Sequence, residues 1–362
     1  MYSKFPLLHV PYLVLSKIVS LADPSALVNI SLCSKKAKIA IRSVRRFNSW
    51  QLSILSGPYP RAILSYDGKY YQRHLNVLRV ICTSELLTNQ HSEFVTIGNC
   101  KVPVLNNTCR NSYCDDDQSD NSDPVIGYCL DTYWEDRIEG LKQVVEYVSD
   151  LFQLSVSIVH IYRGDEWVLE WIKNRQNEKL KDVTFEILGS ECYPGEKLEL
   201  VLRNSTPFNK LHIRALAPEN FRFTANFPTV DEIFILYGKW ITVDNLMKID
   251  SLECAFWDTT LSGTDINQFL HFWMGGGSPR LQYLHVTTEK NLDFSSVFGN
   301  DLVEFRLERT HEVRLYHPRP FGMDRIFDGG CTIQRKNGVK ATINYYLNDF
   351  HMAIWPQSIV SD

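Results

Sequence analysis

Cysteine and histidine are the side chains best suited to hold a metal or carry a nucleophile, and this chain of 362 residues has nine of the first and ten of the second. Cys100, Cys109, Cys114 and Cys129 lie near one another, but no C-x-x-C pair exists and the spacings match no common zinc site. They read as loop thiols without a ligand role. His9, His74, His91, His160, His212 and His271 fall in separate predicted elements, with no H-E-x-x-H or G-x-S-x-G motif beside them. Gly275-Gly276-Gly277 lacks the G-x-G-x-x-G spacing of a phosphate loop and follows a helical pattern instead of opening one, which makes it a helix stop. Spacing therefore points to no enzyme: no catalytic residue, no metal ligand set and no cofactor is expected, although a Ser/His/Asp group assembled from distant positions leaves no mark of this kind.

Charge narrows the classes further. Lys plus Arg of 38 against Asp plus Glu of 42 gives a formal net charge of −4, which lacks the basic field of a nucleic-acid binder. At 44% hydrophobic residues the chain can bury a sizeable core. No apolar run approaches the roughly 18 to 20 residues of a membrane span. The odd, scattered cysteines and the absence of a signal-peptide pattern at the start suggest a reducing compartment, cytoplasmic or nuclear. One segment, about 106–123, is rich in Asp and Asn without aliphatic residues and is expected to be a solvated acidic loop.

With no chemistry to position, the elements themselves carry the signal. Val10, Leu13, Val14, Ile18 and Leu21 recur at spacings of three and four and share a helical face, with Pro11 suited to the first turn. Asp23-Pro24-Ser25 stops and restarts the helix, Asp23 as N-cap, and Leu27, Ile30 and Leu32 form a second stripe. A third helical segment carries the basic run from Lys35 to Arg46. Three short helices cannot enclose a core alone, so part of this apolar surface calls for a cover.

A β-rich region follows, including Trp50 to Ile54, His74 to Cys82 and Glu93 to Val104. From 136 onward helices and strands alternate at intervals of roughly 20 to 30 residues, inside the range of leucine-rich-like solenoids although no consensus repeat is visible. Parallel strands with helical crossovers fit that alternation. Ser262-Gly263-Thr264-Asp265 caps a helix whose Ile266, Phe269, Leu270 and Trp273 share a face. Trp240 and Trp273 read as core, while Trp257 reads equally as core or surface. Asn337-Gly338 between two β-rich runs signals a hairpin, with Tyr345 to Trp355 as its return or edge strand.

The string Val10-Pro11, Val14-Leu15, Ile18, Asp23-Pro24, Leu27, Ser31, Cys33-Ser34-Lys35 resembles the F-box, in the wording of the large nematode F-box families. Trp240, Asp244-Asn245-Leu246, the series Leu261 to Trp273, Arg280-Leu281 with Tyr283-Leu284, and Gly329-Gly330-Cys331 to Ile343 resemble the F-box-associated domain (type 2) that accompanies it. The resemblance implies an α/β chain: a three-helix F-box over 1–47, a linking β-rich region over 48–135, and an irregular leucine-rich-repeat-like αβ domain over 136–362 ending in a β-hairpin. It also implies a substrate-recognition subunit of a ubiquitin ligase, bound to a Skp-family adaptor and through it to cullin, with an unknown protein substrate and neither nucleic acid nor membrane as partner. By position in the family's string, Pro11, Leu15, Ile18, Pro24, Leu27 and Cys33 form the adaptor-binding set. The alternative is a repeat-type interaction scaffold whose N-terminal helices are only a cap.

Overall fold

A computed structural model describes residues 10–44, 49–67, 72–85, 93–110, 126–187, 189, 191–299, 305, 307–316 and 325–355. They fall into two compact units, 1–165 with 172–178 and 166–171 with 179–362.

The first unit opens on α1 (Tyr12–Leu21), α2 (Pro24–Cys33) and α3 (Lys35–Val44). Asp23 caps α2 by accepting the Ser25 N–H at 2.9 Å, with Pro24 at the first helical position, as the sequence predicts. Pro11 sits one place earlier than expected, at the N-cap of α1, where its carbonyl accepts the Leu15 N–H at 3.0 Å.

The strands β1 (Trp50–Leu55), β2 (Arg61–Asp67), β3 (Gln72–Cys82), β4 (Glu93–Ile97), β5 (Cys100–Arg110), β6 (Ile126–Trp134) and β7 (Val156–Tyr162) order as β7-β1-β2-β3-β6-β5-β4. Pairing is parallel at β7–β1 and β3–β6 and antiparallel elsewhere. The helix before β7, α4 (Arg137–Phe152), buries Leu141, Val144, Val145, Val148, Leu151 and Phe152, the face its periodicity predicts.

Two expectations change in this unit. Residues 106–110 of the presumed acidic loop continue β5, because their backbone pairs with β6 from Asn106↔Leu130 to Arg110↔Ile126. The ladder satisfies those amides whatever the side chains are; 111–123 lie outside the described residues. Cys129 is disulfide-bonded where free thiols were expected. The same ladder sets Cys109 opposite Gly127, two residues from Cys129.

After α5 (Trp167–Arg175), the second unit runs β8 (Asp182–Glu186), α6 (Gly195–Asn204), β9 (Lys210–Arg214), β10 (Glu232–Ile235), α7 (Val243–Lys248), β11 (Glu253–Phe256), α8 (Gly263–Met274), β12 (Tyr283–Thr287) and α9 (Phe294–Phe298). It ends in β13 (Glu308–Tyr316), β14 (Arg325–Gln334), β15 (Lys340–Tyr346) and β16 (Asp349–Trp355). Strands β8 to β12 are parallel neighbours in chain order. The crossovers are unequal. Between β9 and β10 the chain runs without a helix, and Phe221, Phe223 and Phe227 collect around Trp240 with ring centroids 5.3, 6.3 and 6.2 Å away. The likeness to a leucine-rich repeat therefore goes no further than parallel strands with crossovers.

The C-terminal strands carry a second correction. β16 is neither a simple return nor an edge: it pairs antiparallel with β15 on one side and β12 on the other, which makes β13 the outer strand. The hairpin between β14 and β15 is a three-residue loop. Arg335 N–H bonds to the Val339 carbonyl at 2.9 Å, and of Asn337 and Gly338 only Gly338 takes a positive φ, +88°.

Candidate functional site

The N-terminal helices divide their apolar residues between two sides. On α1, Leu15 and Val19, one turn apart, are buried, and α2 and α3 bury Leu27, Val28, Ala37 and Ile41. Leu13 and Leu21 are 79% and 74% exposed, and Tyr12, Val14 and Ile39 are exposed with them. At 100° per residue Leu13, Val14 and Leu21 fall within one sector of the helix, away from Leu15 and Val19. Scattered surface leucines need no explanation, but three exposed aliphatic side chains grouped around Lys17 in one sector of a ten-residue helix do.

This arrangement redistributes the expected contact set. Pro11 and Cys33 are exposed and Ile18 is half-buried, whereas Leu15, Pro24 and Leu27 face inward, Leu27 with 1% of its surface free. The helical period read correctly from Leu13, Val14 and Leu21 marks the outward stripe, because a second stripe at Leu15 and Val19 already serves the core. Cys33 instead lines an open cavity of about 470 Å³ with Asn29 and Leu32 of α2 and Phe94, Val104 and Leu130 of the sheet, and none of its described lining comes from α1.

The inward side is fastened to α4. Ser31 Oγ and the Tyr147 hydroxyl lie 2.7 Å apart in a buried contact, and burial pushes the Tyr147 phenol up to about 12. Lys38 Nζ and Arg42 Nη1 reach the Asp150 carboxylate at 2.8 and 2.9 Å, and Lys38 stands 4.5 Å over the Tyr147 ring. The basic run from Lys35 thus has a structural use that the sequence did not disclose.

In the second unit strands β8 to β11 alternate cleanly, while β12 buries Tyr283 and His285 as well as Leu284 and Val286. Val183, Phe185, Leu211, Ile213, Ile233, Ile235, Cys254, Phe256, Leu284 and Val286 are buried on one face, and Leu246 of α7 and Phe269 of α8 meet Cys254, Phe256 and Leu284 there. The other face presents half-buried polar groups. Lys210 and His212 bind Glu232 at 3.0 and 2.7 Å, Arg214 stands 3.9 Å from Glu186 and 5.6 Å over the Phe234 ring, and Arg280 holds Asp231 at 2.7 Å. Burial pushes the Glu232 carboxyl up, but the hydrogen bond with His212 and the charges of His212 and Lys210 together outweigh it and hold it at about 2. Of the tryptophans, Trp240 and Trp273 are core as expected, and Trp257 is 36% exposed.

Comparison with known families places a match on each unit: F-box domain over residues 7–49 and F-box associated over residues 221–286. The chain carries an F-box and an F-box-associated segment. The F-box match covers α1 to α3, and the second begins at Phe221, in the aromatic cluster around Trp240, and ends within β12. An F-box domain implies binding to a Skp adaptor, and through it to cullin; both matched families are substrate adaptors. An uncharacterized protein of Caenorhabditis elegans is 19% identical over 315 residues, spanning 86% of this chain and 68% of its own length. No solved structure matches the chain. No described helix is long and apolar enough to cross a membrane.

Proposed function

We propose that this chain is the substrate-recognition subunit of a Skp–cullin–F-box ubiquitin ligase. In that reading it docks on the adaptor through the outward stripe of α1, Leu13, Val14 and Leu21, with Pro11 and Ile18 on the same helix end and face, and with Cys33, exposed at the end of α2, as a separate contact. Its strand face from β8 to β11 holds a protein target. The observation that carries it is the exposed apolar side of α1 on the very helices that match an F-box. Leu15, Pro24 and Leu27 of the expected set act from beneath, by fixing the helices that present the stripe. The polar strand face, whose basic groups Lys210, His212 and Arg214 stand against Glu232 and Glu186, suits a protein surface rather than a nucleic acid. Such a subunit performs no chemistry; holding a target near a ubiquitin-charged enzyme raises the effective concentration of its lysines.

The test is co-purification. Leu13→Asp with Leu21→Asp should lose the adaptor and cullin while the thermal midpoint stays put, and retention of the adaptor by a folded double variant would overturn the docking reading. The scaffold alternative draws on Leu27, Val28 and Ile41, which show the same helices capping the first unit; it predicts that target partners persist and that no adaptor is found with either chain. Cytoplasm or nucleus is the compartment this role requires, and the disulfide at Cys129 is the observation that speaks for an oxidising one instead.

A further inference from the structure

One cluster of ligand-type side chains lies outside both docking surfaces. Asp349 and His351 are separated by one residue on β16, so they point to the same side of the sheet, and His285 on β12 is the register partner of His351. Their ligand atoms all lie within 4.8 Å of one another. His285 Nε2 is 3.1 Å from Asp349 Oδ1. An i, i+2 pair on one strand completed by the facing residue of the next is a spacing that lets three side chains meet at one point.

The groups around the cluster are those a metal site uses to orient its ligands. Thr287 donates its hydroxyl to Asp349 Oδ1 at 3.1 Å, and the Tyr283 hydroxyl holds His351 Nδ1 at 2.9 Å, which leaves Nε2 as the ligand atom of that ring. Trp257 stands edge-on to the His285 ring at 4.5 Å and walls that side. His285 is 2% exposed, while the Asp349 side chain is 40% exposed and leaves a way in. The His285 and His351 rings stack, with centroids 4.3 Å apart and 10° between planes. A shared ion needs the rings to open from that stack, with the half-buried His351 ring pivoting on its Tyr283 hydrogen bond.

The geometry points to a divalent transition-metal site, of the zinc(II) class, formed by His285, Asp349 and His351. Two imidazoles and one carboxylate are a borderline donor set that favours zinc(II), cobalt(II) or iron(II) over calcium or magnesium. With three protein ligands one position stays open, on the side where Asp349 meets solvent. The ion would tie β12 to β16, the junction between the parallel strands and the C-terminal meander. The inference stands apart from the adaptor reading, since it concerns metal binding by the chain alone.

Cobalt(II) is the probe, added to the full chain and then displaced by zinc(II). One saturable cobalt per chain is expected, with visible d–d bands and no thiolate charge-transfer band, and a thermal midpoint that climbs with free zinc as mass action requires. Asp349→Asn and His351→Ala should abolish the d–d signal, and Thr287→Val should weaken binding by about 10-fold or more. His285→Asn serves as a third variant, and circular dichroism of each separates loss of metal from loss of fold. Absence of saturable binding by the wild-type chain, a spectrum dominated by thiolate bands, or equal affinity in folded Asp349→Asn and His351→Ala chains would overturn the site.

Discussion

A single carboxylate shows how the polar strand face is held together. Glu232 takes a hydrogen bond from His212 and a charge contact from Lys210, and its ionisation is drawn down from an ordinary 4.5 to about 2. A carboxyl depressed in the folded state contributes stability that is fully present above its unfolded value and lost as pH falls through the folded one. Acid should therefore weaken the second unit between pH 4.5 and about 2. Glu232→Gln should lower the thermal midpoint at pH 7 and flatten its fall in that window, the two curves converging at the acid end; parallel curves would show that the pairing contributes nothing. At this scale the sequence was mute. His212 and Glu232 are twenty residues apart and meet only because β9 and β10 run parallel in register. The Asp349-Phe350-His351 alternation was a same-face signal open to a reader of strands, but its partner His285 could not be named until β16 was known to pair with β12.

Elements were more legible where one period governed them. The burial face of α4 follows from hydrophobic spacing alone, because it has a single buried side, and β7 follows from its β-branched run although its burial changes parity between Val156 and Val159. Helix α1 misleads for the converse reason: with apolar residues on two sides, its period cannot say which one the core takes. The attachment of α3 was also hidden, since Asp150, the partner of Lys38 and Arg42, lies over a hundred residues further along the chain. Asp150→Asn should cost about 1 kcal/mol or less, as half-exposed pairs do, yet speed amide exchange in α3 selectively. Uniform exchange along α1 to α3 would deny the clamp.

The hairpin β14–β15 has a stronger tie. Arg335, 6% exposed, donates to the Gly277 carbonyl and lies 4.0 Å over the Trp273 ring, joining the loop to the end of α8. Arg335→Ala should destabilise the second unit by about 2 kcal/mol or more, from the lost cation–π contact and charged hydrogen bond, and Arg335→Lys should recover only part of it. Urea midpoints for the three chains decide this.

For the molecule as a whole, the question is whether its N-terminal helices can be removed without harm, as a detachable docking module would allow. The packing says they cannot. Leu27, Val28, Ala37 and Ile41 are buried, and Ser31, Lys38 and Arg42 engage Tyr147 and Asp150 of α4. Deleting residues 1–47 would uncover the surface against which these side chains pack, and burial at about 25 cal/mol per Å² makes the loss several kcal/mol for a few hundred Å², enough to endanger a domain stable by about 5–15 kcal/mol. The deletion should therefore aggregate or lose β-sheet signal, and its missing partners would report misfolding as much as docking. Single substitutions separate the two effects. Leu27→Asp places a charge in the core and should unfold the first unit, whereas Leu13→Asp alters only the surface and should leave the unfolding midpoint within error while reducing adaptor capture. If Leu27→Asp and Leu13→Asp proved equally stable, the inward and outward sides of these helices would have been assigned the wrong way round, and the docking stripe with them.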